Sequence, residues 1–271
     1  MPELPEVEVC RLGISPHIKN KKVTKVVVRQ WQLRWPIPKD VLELKNEQVL
    51  SVERRSKYLM IKFETGTLLL HLGMSGSVRV IPSHTTPIKH DHFELHFEHG
   101  QMLKLNDPRR FGAVLWFEGH KDAEGILSKL GPEPLSEDFD HGYLFEKARN
   151  RKTPIKTFIM NNPIVVGVGN IYANEALFQA GIRPDAMAGK LTKKRLDLLT
   201  DCIKVVLARA IEQGGTTLKD FTQSDGKPGY FAQELNVYGR GGEACLTCET
   251  TLEEIRQSNR SSVFCPNCQK K

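Results

Sequence analysis

The chain has 271 residues, room for about two domains, and its 39% hydrophobic and 26% charged residues exclude a wholly disordered polymer. No apolar run approaches the roughly 18 residues a membrane helix needs, and the first twenty residues, with Glu3, Glu6 and Glu8 and no apolar core, exclude a secretory signal. The 39 basic against 32 acidic residues favour a polyanionic partner, and the expected setting is a soluble protein in a reducing compartment.

Charge is unevenly placed. Residues 1–120 hold 18 basic and 13 acidic groups, 121–150 hold 4 and 7, and 151–240 hold 13 and 8. An acidic stretch containing Gly131-Pro132-Glu133-Pro134 therefore separates two basic blocks, which places a linker near 131 and suggests a basic cleft between two lobes. Two ordinary solvated surfaces would give the same charges.

In chain order, Leu4, Val7, Cys10, Ile14 and Ile18 recur at helical spacing, with Pro2 and Pro5 in the first turn, where proline is tolerated. Strands follow. Val23–Arg29 is β-branched, apolar residues alternate through Tyr58–Phe63, and Thr65-Gly66 turns the chain into Thr67–Leu72. Phe93, Leu95 and Phe97 alternate before a turn at His99-Gly100. One helix followed by an antiparallel sandwich is the simplest assembly.

The second block reads as helices at Tyr143–Arg151, at Ile171–Gln179 with Gly181 as a stop, and after a Thr192 cap. The last carries Leu196, Leu199, Ile203, Val206, Leu207 and Ala210 at the 3.6 period and ends at Gly214-Gly215. The composition of Gln223–Gly229 is that of a mobile loop.

Four of the six cysteines fall as Cys245-x2-Cys248-x16-Cys265-x2-Cys268. Two such turns supply four thiolates to one tetrahedral Zn²⁺; two disulfides are the alternative, disfavoured in a chain without a secretory signal. With every position filled by protein the zinc is structural, and so short a ribbon folds largely on metal-binding energy. Cys10 and Cys202 sit at apolar helical positions and read as core. Arg256 and Arg260 lie on a hairpin between the cysteine pairs, either as phosphate contacts or as solvated side chains.

Several blocks now combine: Met1-Pro2-Glu3-Leu4-Pro5-Glu6-Val7-Glu8, His71-Leu72-Gly73-Met74-Ser75-Gly76, Lys89-His90-Asp91-His92, Asp107-Pro108-Arg109-Arg110-Phe111-Gly112, Val166–Ala173, Gln213–Phe221 and the zinc ribbon. Together they resemble the formamidopyrimidine-DNA glycosylase family of bacterial base-excision repair enzymes, in that family's order and across the whole chain. The resemblance implies an α+β fold: an N-terminal helix and antiparallel β-sandwich over 1–131, a helical domain with a helix–two-turn–helix element over 132–240, and a zinc finger over 241–271. It implies one zinc ion, duplex DNA carrying oxidised purines or abasic sites as partner, no membrane, and a bacterial cytoplasm where DNA associates it with the nucleoid; one cleft and one site suffice for a monomer.

By that resemblance, removal of Met1 leaves Pro2 as a secondary amine, unprotonated in useful fraction near neutral pH, that attacks the deoxyribose C1′. Glu3 donates a proton to the sugar, work that requires a raised carboxyl pKa. Lys57 serves elimination near the scissile phosphate, and Arg260 assists δ-elimination. His90, Arg109, Arg151 and Asn170 contact DNA phosphate or the base left behind. Met74, Arg109 and Phe111 fill the gap of a flipped lesion. Read without the family, Pro2 is a helix-start proline, Glu6 and Glu8 complement a helix N-terminus, and Met74 and Phe111 are core. His90, His92, His96 and His99 also raise the reading of a metal, but strand alternation, together with the DNA-facing role that the resemblance implies for the matching histidine, favours phosphate contact. Glu249 departs from the family's glycine after the second zinc cysteine, which puts that turn in doubt, and Asn161 replaces its aspartate.

Two other functions compete. An endonuclease VIII-like enzyme for oxidised pyrimidines usually has glycine at the place of Leu4 and lacks the Arg109-Arg110-Phe111 block. A non-catalytic zinc DNA-binding protein has no need of Pro2, Glu3, Lys57 and Arg260 together.

Overall fold

The structure is a computed structural model and describes residues 2–119, 123–216 and 234–271. The loop expected at Gln223–Gly229 lies outside them. The chain forms two compact units: one runs to Ser128 and takes the chain back at Gln213, and the other comprises Lys129–Glu212 and the C-terminal residues.

The first unit opens with helix α1 (Leu4–Ile18), whose buried residues include the expected Leu4, Val7, Cys10, Ile14 and Ile18. Among the described residues eight strands follow: β1 (Val23–Val28), β2 (Ser51–Arg55), β3 (Tyr58–Lys62), β4 (Gly66–His71), β5 (Ser77–Pro82), β6 (Asp91–Phe97), β7 (Gln101–Asn106) and β8 (Ala113–Glu118). They form two antiparallel sheets, ordered β1-β6-β7-β5 and β2-β3-β4-β8. Alternate residues of both sheets, among them Leu59, Ile61, Phe63, Phe93, Leu95 and Leu103, share one core with α1, which packs on β2, β3 and β5. The short helix α2 (Ala123–Leu127) closes the first stretch of the unit.

The second unit contains α3 (Tyr143–Ala148), α4 (Ile155–Ile159), α5 (Asn170–Gln179) and α6 (Lys193–Glu212), then the hairpin β9 (Glu253–Gln257) and β10 (Arg260–Phe264). The expected helix over Tyr143–Arg151 stops at Ala148, because Arg149 is extended and Asn150 is left-handed at φ 60°. Helix α6 buries all six residues of its predicted apolar stripe. Two turns between α4 and α5 complete the helix–two-turn–helix element. No helix among the described residues is long and apolar enough to cross a membrane.

Candidate functional site

At the N-terminus of α1, Pro2 and Glu3 are both buried. Their placement follows from Glu6, which is fully buried one turn on. One Glu6 oxygen accepts from the Glu3 backbone N–H at 2.8 Å, and the other accepts from the N–H and hydroxyl of Thr216 at 3.0 and 2.9 Å. A carboxylate returning to the cap residue is half of a capping box, and it fixes the backbone entering the helix. The close approach at Thr216 is made by Gly215 (φ 79°), where a Cβ would lie 3.2 Å from Glu6 Oε1.

Lys57 occupies the two-residue turn between β2 and β3, after Ser56, which is buried with φ 56°. Arg54 holds this turn: its Nη1 donates to Ser56 O at 2.9 Å and its Nε to Glu8 Oε2 at 2.8 Å. Burial alone would raise the Glu8 carboxyl, but Arg11 and Arg54 outweigh it and hold Glu8 below the usual carboxylate range. Across the sheet, Tyr58 pairs with His71, ring to ring at 5.0 Å. The His71 Nδ1 accepts from the Gly73 N–H at 3.0 Å. Burial, then the charges of Lys57 and Arg34, push His71 down to about 4, so near neutral pH it is an uncharged acceptor beside two cations.

Met74 and Phe111 are exposed on loops, at 38% and 46%, and neither belongs to the core. The Arg109 guanidinium lies 4.8 Å above the Phe111 ring. His90 precedes β6 with φ 75°. The other three histidines of its run do not converge. His92 donates to Asp107 O, His96 meets Glu94 and His99 meets Gln101.

In the second unit a groove of about 420 Å³ is lined by Arg151 and Arg260, with Phe158, Met160 and Ile164 as its apolar wall. Arg260 opens β10 after the turn Ser258-Asn259, whose φ values of 47° and 60° suit a two-residue hairpin loop. Beneath it Lys156 is 1% exposed, and its Nζ donates to Ser261 O at 2.6 Å and Ser262 Oγ at 2.7 Å. The hairpin bearing Arg260 is thereby tied to α4. Asn170 begins α5 after Gly167 (φ 77°) and Gly169, and its Oδ1 is buried without a hydrogen-bond partner among the described residues.

The four zinc-spaced cysteines converge, their sulfurs all within 4.8 Å of one another. Three pairs stand at 3.4, 3.4 and 4.0 Å, close to the edge of about 3.8 Å of a tetrahedron with Zn–S bonds of about 2.3 Å. Hydrogen bonding with Thr250 and Asn267 holds Cys248 down to about 5, whereas burial and the neighbouring sulfurs push Cys268 up to about 12. Four thiolates at this spacing need a cation, and the donor set fits zinc.

Family models for the formamidopyrimidine-DNA glycosylase N-terminal domain, the formamidopyrimidine-DNA glycosylase H2TH domain and the zinc finger found in FPG and IleRS match residues 1–114, 130–222 and 242–271. The chain belongs to the formamidopyrimidine-DNA glycosylase family. It is 68% identical to the formamidopyrimidine-DNA glycosylase of Colwellia psychrerythraea over 99% of both chains. Among solved structures it resembles the Lactococcus lactis mutant enzyme in complex with a Fapy-dG containing DNA, with TM-score 0.93 and 31% identity over 100% of both chains. It also resembles MutM in complex with carbocyclic 8-oxo-G containing DNA, with TM-score 0.91 and 32% identity over 100% of both chains. The chain is accordingly a DNA glycosylase and abasic-site lyase with a zinc-binding finger.

Within this glycosylase, the structure groups the predicted residues locally. Arg109 stacks on Phe111, Arg151 shares a groove with Arg260, and Lys57 lies within electrostatic reach of His71. Sequence reading missed the role of His71, on which the charges of Lys57 and Arg34 both act, and Lys156 beneath Arg260. Periodicity could not flag them, since each acts across elements distant in sequence. One backbone signal does recur: Ser56, His90, Arg110, Asn150 and Asn259 all have positive φ and stand at or next to a predicted site residue. Non-glycine residues in that region store strain, which accumulates where loops must aim a side chain.

Proposed function

We infer that this enzyme removes oxidised purines, formamidopyrimidines and 8-oxoguanine, from duplex DNA and then cleaves the abasic strand through an iminium on Pro2. The placement of Pro2 and Glu3 at a sealed helix start carries the reading, because it holds an amine and an acid on adjacent residues with their backbone fixed by Glu6. With Met1 removed, the secondary amine of Pro2 attacks C1′ and displaces the damaged base while Glu3 protonates the opening sugar. The iminium formed has no N–H to lose. It remains a cationic electron sink that acidifies the C2′ hydrogen, and loss of that proton expels the 3′ phosphate. Lys57 serves this elimination, and Arg260 assists the second one, which releases the 5′ phosphate. His90, Arg109, Arg151 and Asn170 hold the phosphodiester backbone and the orphaned base, a charge-driven attraction that weakens with salt. Met74, Arg109 and Phe111 fill the space of the extruded lesion. One zinc, held by Cys245, Cys248, Cys265 and Cys268, supports the finger and takes no part in bond breaking.

Matched duplexes carrying one oxidised purine or one oxidised pyrimidine test this directly. Base release and strand scission are read separately. Rapid release of the purine, with scission leaving phosphates on both sides of the gap, is the expected result. Preference for the pyrimidine would favour the endonuclease VIII-like alternative, and binding without release would reduce the chain to a DNA-binding protein.

A further inference from the structure

Two loops carry the exposed Met74 and the Arg109–Phe111 pair, and both cross from one sheet of the sandwich to the other. The chain passes from β4 to β5 through residues 72–76, and from β7 to β8 through residues 107–112. Because β4 pairs with β8 and β5 with β7, the crossings lie side by side, flanked by the register pairs His71–Ala113 and Ser77–Asn106. Their backbones touch. A Cβ on Gly73 would lie 2.4 Å from Phe111 C, and one on Gly112 would lie 2.7 Å from His71 O.

Asp107 joins these loops. It is 0% exposed, and each carboxylate oxygen is used: Oδ1 accepts from Ser75 Oγ at 2.9 Å and Oδ2 from the Gly112 N–H at 2.8 Å. Ser75, itself buried, also accepts from the Arg109 N–H at 3.3 Å, so one hydroxyl links the Met74 loop to both Asp107 and Arg109. The Asp107 backbone is fixed as well, donating to His90 O at 3.0 Å and accepting from His92 Nε2 at 2.9 Å. No cation pairs with this carboxylate among the described residues. A buried acid held only by neutral donors is a poor stabilising device compared with a well-packed apolar side chain. Its use lies in geometry, since two short bonds of fixed direction set the spacing of two loops.

We propose that Asp107 is a positioning residue, locking the two crossover loops into one wedge so that Met74, Arg109 and Phe111 enter the duplex together when the lesion leaves it. This rests on reading those three side chains as gap-fillers. Base pairs and stacking push back on an inserted side chain. Loops free to separate would yield to that force and would lose ordering entropy on insertion.

Asp107→Asn and Ser75→Ala, each alone and combined with Met74→Ala/Phe111→Ala, test the role. Single-turnover base excision from duplex is compared with cleavage of an abasic site in single-stranded DNA, which has no stack to fill. Each single variant should slow duplex excision by about tenfold and abasic-site cleavage by less than about twofold. In the Met74→Ala/Phe111→Ala background, Asp107→Asn should add less than about twofold, because the side chains it positions are gone. A full tenfold in that background, or equal slowing of both substrates, would make Asp107 a general fold residue and overturn the proposal. Should Asp107→Asn fail to fold, Ser75→Ala carries the same comparison. An unimpaired Met74→Ala/Phe111→Ala enzyme would remove the gap-filling reading and the role of Asp107 with it. An impaired one beside unimpaired Asp107→Asn and Ser75→Ala would remove the role of Asp107 alone.

Discussion

Two hairpins of this glycosylase use the same local device on opposite foundations. In the β2–β3 hairpin a left-handed Ser56 precedes Lys57, and in the β9–β10 hairpin Ser258 and Asn259, both left-handed, precede Arg260. The first belongs to a four-stranded sheet over a large apolar core. The second is two-stranded, and among the described residues its buried cluster is small: Val237, Leu252 and Val263 beside Cys245 and Cys265, with Phe178 packed against them. A two-stranded hairpin alone is marginal in water. A cation at a hairpin turn can thus be carried either on a large apolar core or on a short ribbon with a four-cysteine cluster and a buried lysine tether, where the turn itself is specified by left-handed residues.

Removing the metal should break the comparison most visibly. Cys265→Ala, or chelation of the wild type, should unfold the ribbon and abolish tight DNA binding while the sandwich keeps its own cooperative melt, because structural zinc supplies about 10 kcal/mol or more to such domains. Metal analysis beside calorimetry checks this, and fully active protein without zinc would sink it.

Acid should act on the other hairpin. The folded pKa of His71, near 4, lies below the unfolded value of 6.5. Its contribution to stability is therefore fully present above about pH 6.5 and is lost as pH falls toward 4. The span of about 2.5 units corresponds to at most about 3 kcal/mol. His71→Asn keeps an acceptor for the Gly73 N–H and cannot titrate. Its unfolding free energy should fall less than that of the wild type between pH 6.5 and 4, and parallel curves would exclude His71 as the cause.

The smallest effect should come from Glu249, which adopts φ 62° within the zinc turn, a conformation that favours glycine. Glu249→Gly should relieve strain and stabilise the finger by about 0.5–1 kcal/mol, the left-handed penalty of about 1–2 kcal/mol less the roughly 0.5–1 kcal/mol of extra chain entropy that glycine loses on folding. A competition titration for zinc would read it as tighter retention, and weaker retention would show that the turn is unstrained.

The same contrast explains what the sequence could reveal. Helix α6 and strand β3 follow apolar periodicity because each presents one face to a core, whereas α5, β4 and β6 are buried nearly all round and were legible from their apolar content. Strand β2 escaped notice because its Glu53 and Arg54 are polar residues satisfied by partners elsewhere, Lys62 and Glu8. In β7 the buried Lys104 interrupts the apolar pattern, paired with Asp91 at 2.9 Å. The zinc ligands were legible because chelation imposes a short spacing along the chain. The bonds of Asp107 to Ser75 and of Lys156 to Ser262 span 32 and 106 residues, and no local pattern encodes them. Pro2 was legible only through family resemblance, since a proline at a helix start is otherwise unremarkable.

Reductive trapping reveals whether the amine of Pro2 is the nucleophile. Enzyme incubated with duplex DNA containing 8-oxoguanine and borohydride should form a stable adduct, and mass spectrometry should place the sugar remnant on the nitrogen of Pro2 with Met1 absent. Acetylation of the N-terminus should abolish trapping. An adduct on a lysine, or undiminished trapping by N-terminally acetylated enzyme, would contradict the account.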